Sequence, residues 1–257
     1  MKGKIHGRKT DMKKVKHLLP IALLLCSATM MQSCLDNDDD DRYVICPTSP
    51  NALVTVCPAE DGSFAMILDD KTTLHPTNMP KSPFGQKEVR ALVNYTPVDA
   101  FYGVTGVQIN RIDSIRTKLP VADLGDKNDE TYGNDPIEIV KDWVTVAEDG
   151  YLTLRVRTVW GPGNRPHYLN LVSGMNPDDP FDVELRQDAQ GDTEGRFADA
   201  LIAFNLNGLS RSEKPVKVKL HWNSFSGPKS AEFDLALRPV AVEEHETSNL
   251  IPAASLR

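Results

Sequence analysis

The stretch that decides the fold is Glu148-Asp149-Gly150-Tyr151-Leu152-Thr153-Leu154-Arg155-Val156-Arg157-Thr158-Val159-Trp160. Leu152, Leu154 and Val156 fall on one side of an extended chain, and Thr153, Arg155 and Arg157 on the other. A period of two with one dry face is what a half-buried β-strand requires. Asp149-Gly150 supplies a tight turn, so the segment before it, residues 137–146, is expected to pair back onto it. The same alternation recurs downstream. Phe181, Val183 and Leu185 oppose Asp182, Glu184 and Arg186, and Val216, Val218, Leu220 and Trp222 oppose Lys217, Lys219 and His221. Further strands are expected at residues 168–172, 200–206 and 231–237, with turns at Gly161-Pro162-Gly163-Asn164 and Asn207-Gly208. About seven short alternating strands in about 100 residues predict a sandwich of antiparallel sheets.

Upstream, the strands are shorter and more apolar. Residues 52–57 and 63–68 flank Asp61-Gly62, a hairpin dipeptide. Residues 71–75 extend or reverse that pair. Residues 88–95 place Val89, Ala91 and Val93 on one face, and residues 104–115 carry Gly103 and Gly106 at a bend or bulge. Five strands in about 70 residues predict a small barrel. Between the halves, residues 121–136 are rich in Asp, Asn, Gly and Pro and read as a linker. The fold class is therefore all-β, a small barrel over residues 49–120 followed by a sandwich over 137–240 and a loose tail over 241–257.

The N-terminal part is an address. Lys13, Lys14 and Lys16 precede an apolar run from Leu18 to Cys26, too short for a spanning helix, and small and polar residues lead to Cys34. Met31-Gln32-Ser33-Cys34 resembles a bacterial lipobox, with Met where Leu is usual. That resemblance implies cleavage after residue 33 and lipidation of Cys34, which fixes the chain to a membrane. Residues 34–48 form an acidic spacer. Within it Asp36, Asp38, Asp39, Asp40 and Asp41 resemble the export signal that places lipoproteins of Bacteroides-type bacteria on the outer face of the outer membrane. The expected location is the outer membrane, on the cell surface, with the periplasmic face as the alternative.

The formal net charge is −7. Removing residues 1–33 takes out seven Lys/Arg and one Asp, leaving a body near −13. That charge argues against a nucleic acid partner. Two of the four cysteines, Cys46 and Cys57, lie in the exported body and form a disulfide candidate if the chain reverses at Ser49-Pro50-Asn51.

With both halves laid out, the chain resembles the NigD-like lipoproteins. The resemblance rests on Ser33-Cys34-Leu35-Asp36, Ala52-Leu53-Val54-Thr55-Val56 and residues 64–69. Downstream it rests on Asp149-Gly150-Tyr151-Leu152-Thr153-Leu154, Phe204-Asn205-Leu206 and Leu220-His221-Trp222-Asn223-Ser224. It implies an OB-like barrel and a C-terminal sandwich. It implies no established activity; the bacteriocin gene neighbourhood behind the name suggests immunity.

No motif commits to a chemistry. His75, His167, His221 and His245 share no metal-ligand spacing, and no nucleophile elbow or phosphate loop occurs. No catalytic residue, metal or cofactor is assigned. Asp188, Asp192 and Glu194 could hold calcium but read first as a polar turn. The aromatics Trp143, Tyr151, Trp160, Tyr168, Trp222 and Phe225 gather in the second half. Most are expected in the core, with Trp160 and Tyr168 as the candidates for binding a ligand. The leading expectation is a non-enzymatic, lipid-anchored protein with a protein partner. The alternatives are a glycan-binding lipoprotein and a hydrolase with carboxylates facing each other in a cleft.

Overall fold

A computed structural model describes residues 49–69, 71–98, 105–163, 165–209 and 216–238. Cys34, the aspartates at 36 and 38–41, Cys46 and the tail 241–257 lie outside the described residues. The first strands, β1 (Ala52–Pro58) and β2 (Phe64–Ile67), pair antiparallel through the expected hairpin. Asp61 Oδ1 accepts from the Ser63 amide at 2.9 Å, and Gly62 adopts φ 84°, which costs a glycine nothing. β3 (Thr73–Pro76), β4 (Val89–Pro97) and β5 (Thr105–Ser114) complete a closed barrel in the order β1-β2-β3-β5-β4. The expected irregularity does lie in β5, but at Asn110, which is skipped opposite Asn94 and Tyr95 of β4, rather than at Gly106. Val54, Val56, Met66, Ala91, Val93 and Val107 fill the interior and are all fully buried.

The second half packs two sheets face to face. One holds β6 (Arg116–Lys118), β8 (Glu138–Val140), β9 (Val146–Glu148), β10 (Tyr151–Trp160) and β13 (Arg196–Asn205). The other holds β7 (Val121–Ala122), β11 (Tyr168–Ser173), β12 (Asp182–Asp188), β14 (Val216–Ser224) and β15 (Gly227–Leu235). Leu152, Leu154, Val156, Phe204, Val183, Leu185, Val218 and Leu220 form the shared core. Three pairings run parallel, β6 with β13, β7 with β11 and β12 with β14, so each sheet is mixed.

Several local boundaries differ from the sequence reading. Residues 137–146 are two short strands, because Asp142 closes a turn on the Val144 amide at 3.0 Å. β15 begins at Gly227, four residues before the alternation is visible. Pro228 is tolerated there because β15 is the sheet edge. Residues 121–136 contribute β7, a 3₁₀ turn at Gly125–Lys127 and α1 (Asn128–Tyr132), and β7 extends the second sheet.

The barrel seats directly on the first sheet. Leu53 and Leu92 from the barrel's outer surface, with Ile115, meet Ala203, Leu201 and Val146. This contact explains why β1 is buried on both faces from Ala52 to Val56. It also explains why Thr153, on the face expected to be wet, is fully buried.

Candidate functional site

Polar chemistry concentrates in three places. The first is the junction between barrel and sandwich. Arg90 on β4 is fully buried. Its Nη1 donates to Thr55 Oγ1 at 2.9 Å, its Nε donates to Thr153 Oγ1 at 3.4 Å, and its Nη2 pairs with Glu148. The guanidinium lies 5.7 Å from the Tyr151 ring centroid. Tyr151 donates its hydroxyl to Glu88, and Arg238 bridges Glu88 at 2.8 Å and Asp149 at 2.6–2.9 Å. Burial and the hydrogen bond to Glu88 push the Tyr151 phenol far above its ordinary value. Cys57 has a free thiol 3.7 Å from Glu88, pushed up to about 12 by burial and by that carboxylate. An adjoining pocket of about 450 Å³ is lined by Asp69, Glu148 and Asp149. Glu148 and Asp149 are each held by an arginine, so this acid-bearing cleft reads as a mortised joint.

Asp149 and Gly150 both have positive φ, 50° and 75°, and make the two-residue turn between β9 and β10. A Cβ on Gly150 would come within 2.0 Å of the Asn207 side chain, so the turn requires glycine.

The second place is the seam between the two sandwich sheets, at the edge formed by β6 and β11. A pocket of about 220 Å³ opens there. Both predicted ligand aromatics line it. Tyr168 is 49% exposed, while Trp160 is half-buried and stacks on His167 with ring centroids 4.1 Å apart. Val156, Leu169, Ala200 and Ile202 supply apolar wall. Behind the stack runs a polar relay. Gln187 Nε2 donates to Thr158 Oγ1 at 2.8 Å and lies 3.2 Å from His167 Nδ1. His167 Nε2 lies 3.4 Å from Asp192, which accepts from the Gly161 amide at 3.0 Å. Gln187 Oε1 is buried without a partner. Arg116 and Lys118 complete the lining. Lys118 Nζ donates to Leu169 O and Asn170 Oδ1, both at 2.6 Å, which ties the two sheets together. Burial, with Arg116 adding repulsion, pushes the Lys118 ammonium below its ordinary value.

The third place is the outer face of the first sheet with the neighbouring β14–β15 turn. Phe197 (61% exposed) meets Phe225 (43% exposed) edge-to-face at 5.2 Å. Along β13 from Phe197, Asp199 binds both Arg155 and Arg157 of β10, and Arg155 also holds Asp142 at 2.7 Å. Trp143, 56% exposed, stands beside this cluster and shares a groove with Arg155, Asp199 and Leu201.

Of the remaining sequence candidates, Tyr151 and Trp222 are buried, whereas Trp143 and Phe225 are exposed. His221 is half exposed and faces Asp182 at 2.9 Å. Asp188 accepts from the Gln190 amide, and Asp192 serves the seam relay. Among the described residues no group of three or more His, Cys, Asp or Glu could hold a metal ion. No helix among them is long and apolar enough to cross a membrane. The sequence reading missed Arg116, Lys118, His167 and Gln187 as companions of Trp160. The only signal was the alternation of Arg116 and Lys118 directly after Ile115.

Comparison with known proteins agrees with this architecture. Residues 53–115 match the NigD-like N-terminal OB domain, and residues 120–235 match the NigD-like C-terminal beta sandwich domain. A solved protein from Parabacteroides distasonis, described as a candidate toxin-related protein, is 29% identical. The match covers 71% of this chain and 90% of that one, with a TM-score of 0.60. A NigD-like immunity protein from Bacteroides caccae is 20% identical over 71% of this chain and 91% of its own, with a TM-score of 0.50. A candidate lipoprotein from Bacteroides fragilis is 13% identical over 73% and 98%, with a TM-score of 0.52. No protein of curated function matches. The two domain matches jointly span well over half of the chain, in the order the strands require, and the chain belongs to the NigD-like family.

Proposed function

We propose that this chain is a non-enzymatic, lipid-anchored envelope protein that binds a second protein through the outer face of its sandwich. The observation that carries the reading is the set of exposed rings, Trp143, Phe197 and Phe225, set around the Arg155–Asp199–Arg157 cluster. Exposed aromatics beside arginine are the composition of protein interface centres. Large exposed rings gathered around one charged cluster mark an interaction surface. The immunity description belongs to the Bacteroides caccae relative; for this chain it makes a protein the first partner class to test. A glycan fits less well. The pocket holding Trp160 and Tyr168 has a mainly aliphatic wall, and Thr158, Gln187 and His167 are bonded to one another.

Anchoring belongs to the same proposal. Lipid on Cys34 tethers the body, and Asp36 with Asp38–Asp41 directs it to the cell surface. The test is photo-crosslinking in intact cells, with a benzophenone residue at position 197, at 225, or at the exposed Lys71 on the barrel. A discrete adduct at 197 and 225 that is absent at 71, and that disappears with Cys34→Ser, supports the reading. Equal labelling at all three positions overturns the interface. Persistence of Cys34→Ser in the membrane fraction overturns the anchor.

A further inference from the structure

The seam pocket lies apart from the exposed rings of the outer face, and its lining is cationic in an acidic chain. The chain carries 36 Asp and Glu against 29 Lys and Arg, yet no carboxylate lines this pocket, while two cations do. Elsewhere on the sandwich, Arg155, Arg157, Arg186, Lys217, Lys219, Lys229 and Arg238 face carboxylates within 3.4 Å, while Arg165 donates to the Gln190 carbonyl. Among the described residues Arg116 has no carboxylate partner, and Lys118 is bonded only to neutral oxygens. A partly buried ammonium without a counter-ion is costly, and an acidic chain has ample means to supply one. Behind the cations, Val156, Leu169, Ala200 and Ile202 with the Trp160 ring offer an apolar floor open at the sheet edge. In the wall, Gln187 uses one end of its amide on Thr158 and His167 and leaves the other end unpaired. Exchanging the amide oxygen and nitrogen moves that deficit and does not remove it.

We infer that this pocket is a binding site for a small organic acid, with its apolar ring or chain lying between the sheets and its carboxylate held by Arg116 and Lys118. Apolar lining with a few convergent polar groups is the general form of a small-ligand site. The ligand's carboxylate supplies the counter-charge that the protein omits, and guanidinium with ammonium gives it charge-assisted hydrogen bonds. The volume of about 220 Å³ limits the body to a single ring or short chain.

The probe is 3-phenylpropanoate, compared with its uncharged amide, 3-phenylpropanamide, and with acetate. The readout is the indole N–H resonance of Trp160 in ¹⁵N spectra, identified by its loss in Trp160→Phe. The acid is expected to shift that signal saturably at millimolar concentration. The amide should bind about tenfold or more weakly, the ratio one charge-assisted hydrogen bond supplies. Acetate should bind more weakly than the acid, having no apolar body. Arg116→Gln, at an exposed position, should weaken the acid about tenfold and leave the amide unchanged; Lys118→Gln should act in the same direction. Thermal melting of each variant establishes that it is folded, and Arg116→Gln alone decides the matter if Lys118→Gln fails to fold. Equal binding of acid and amide overturns the inference. So does equal binding of acetate, an unchanged affinity in Arg116→Gln, or the absence of a saturable shift.

Discussion

The junction and the seam use the same residue types to opposite ends. At the junction, Arg90 is buried completely and every polar neighbour answers it, Thr55 from the barrel, Thr153 and Glu148 from the sandwich. At the seam, Arg116 is exposed and unanswered, and Lys118 is partly buried with neutral partners only. Closed networks lock two modules into one relative position. Open ones leave charge for something outside the chain. The junction therefore reads as structure and the seam as capacity.

The largest expected effect tests the junction. Arg90→Ala strands Glu148 and vacates a fully buried site, and should destabilise by about 3–5 kcal/mol in chemical denaturation. Arg90→Met combined with Glu148→Gln should recover part of that loss, because the unpaired charge is gone. A loss below about 1 kcal/mol for the alanine variant would show that the barrel is seated by apolar contacts such as Leu53 on Ala203 instead. Gly150→Ala comes next. It forces a residue with φ 75° against Asn207 and should cost about 1–3 kcal/mol, read as a lowered denaturation midpoint. Arg116→Gln sharpens the contrast. Removing a guanidinium here should change stability by no more than about 0.5 kcal/mol, since no partner is left behind. A loss as large as that of Arg90→Ala would erase the distinction between the two regions.

Cys57 gives a kinetic readout of the junction. With its thiol raised from 9.0 to about 12, the thiolate fraction at pH 8 falls about a thousandfold. In a variant with Cys26, Cys34 and Cys46 changed to serine, a disulfide reagent should react slowly until denaturant opens the joint. Rapid reaction in the folded state would place Cys57 outside the network. The smallest effect lies on the outer face. Hydrogen bonds from Arg157, then Arg155, hold Asp199 at about 2, below its ordinary 3.8. A lowered carboxylate stabilises above its unfolded value, so this contribution is complete above about pH 4 and is lost as pH falls towards 2. Both arginines are 40–48% exposed, so solvent screens the pairs and the stability change is slight. A ¹³C titration of the Asp199 carboxyl is the direct measurement, and a midpoint near 3.8 would dissolve the cluster.

What could be read without coordinates follows from what period two reports. Alternation along Leu152, Leu154 and Val156, and again along Val216, Val218, Leu220 and Trp222, identifies strands with one buried face, and Asp61-Gly62 and Asp149-Gly150 mark two of the turns. That suffices for an all-β chain in two modules. Alternation says nothing about a strand whose second face is covered by another module. Arg90 and Thr153 lie on faces that read as wet and are fully buried, because the barrel docks there. It is also silent on parallel partners, which are distant in sequence, so β12 beside β14 and β6 beside β13 emerge only in three dimensions. The same holds for the seam. Trp160 and Tyr168 were legible as candidates from ring chemistry and a nearby glycine turn. Arg116 and Lys118 join them only because β6 pairs with β13 and thereby brings its side chains to the mouth of the sandwich. Local pattern fixed which residues are extended and which face is dry; the packing of sheet on sheet and barrel on sheet decided which charges are answered and which are left for a ligand.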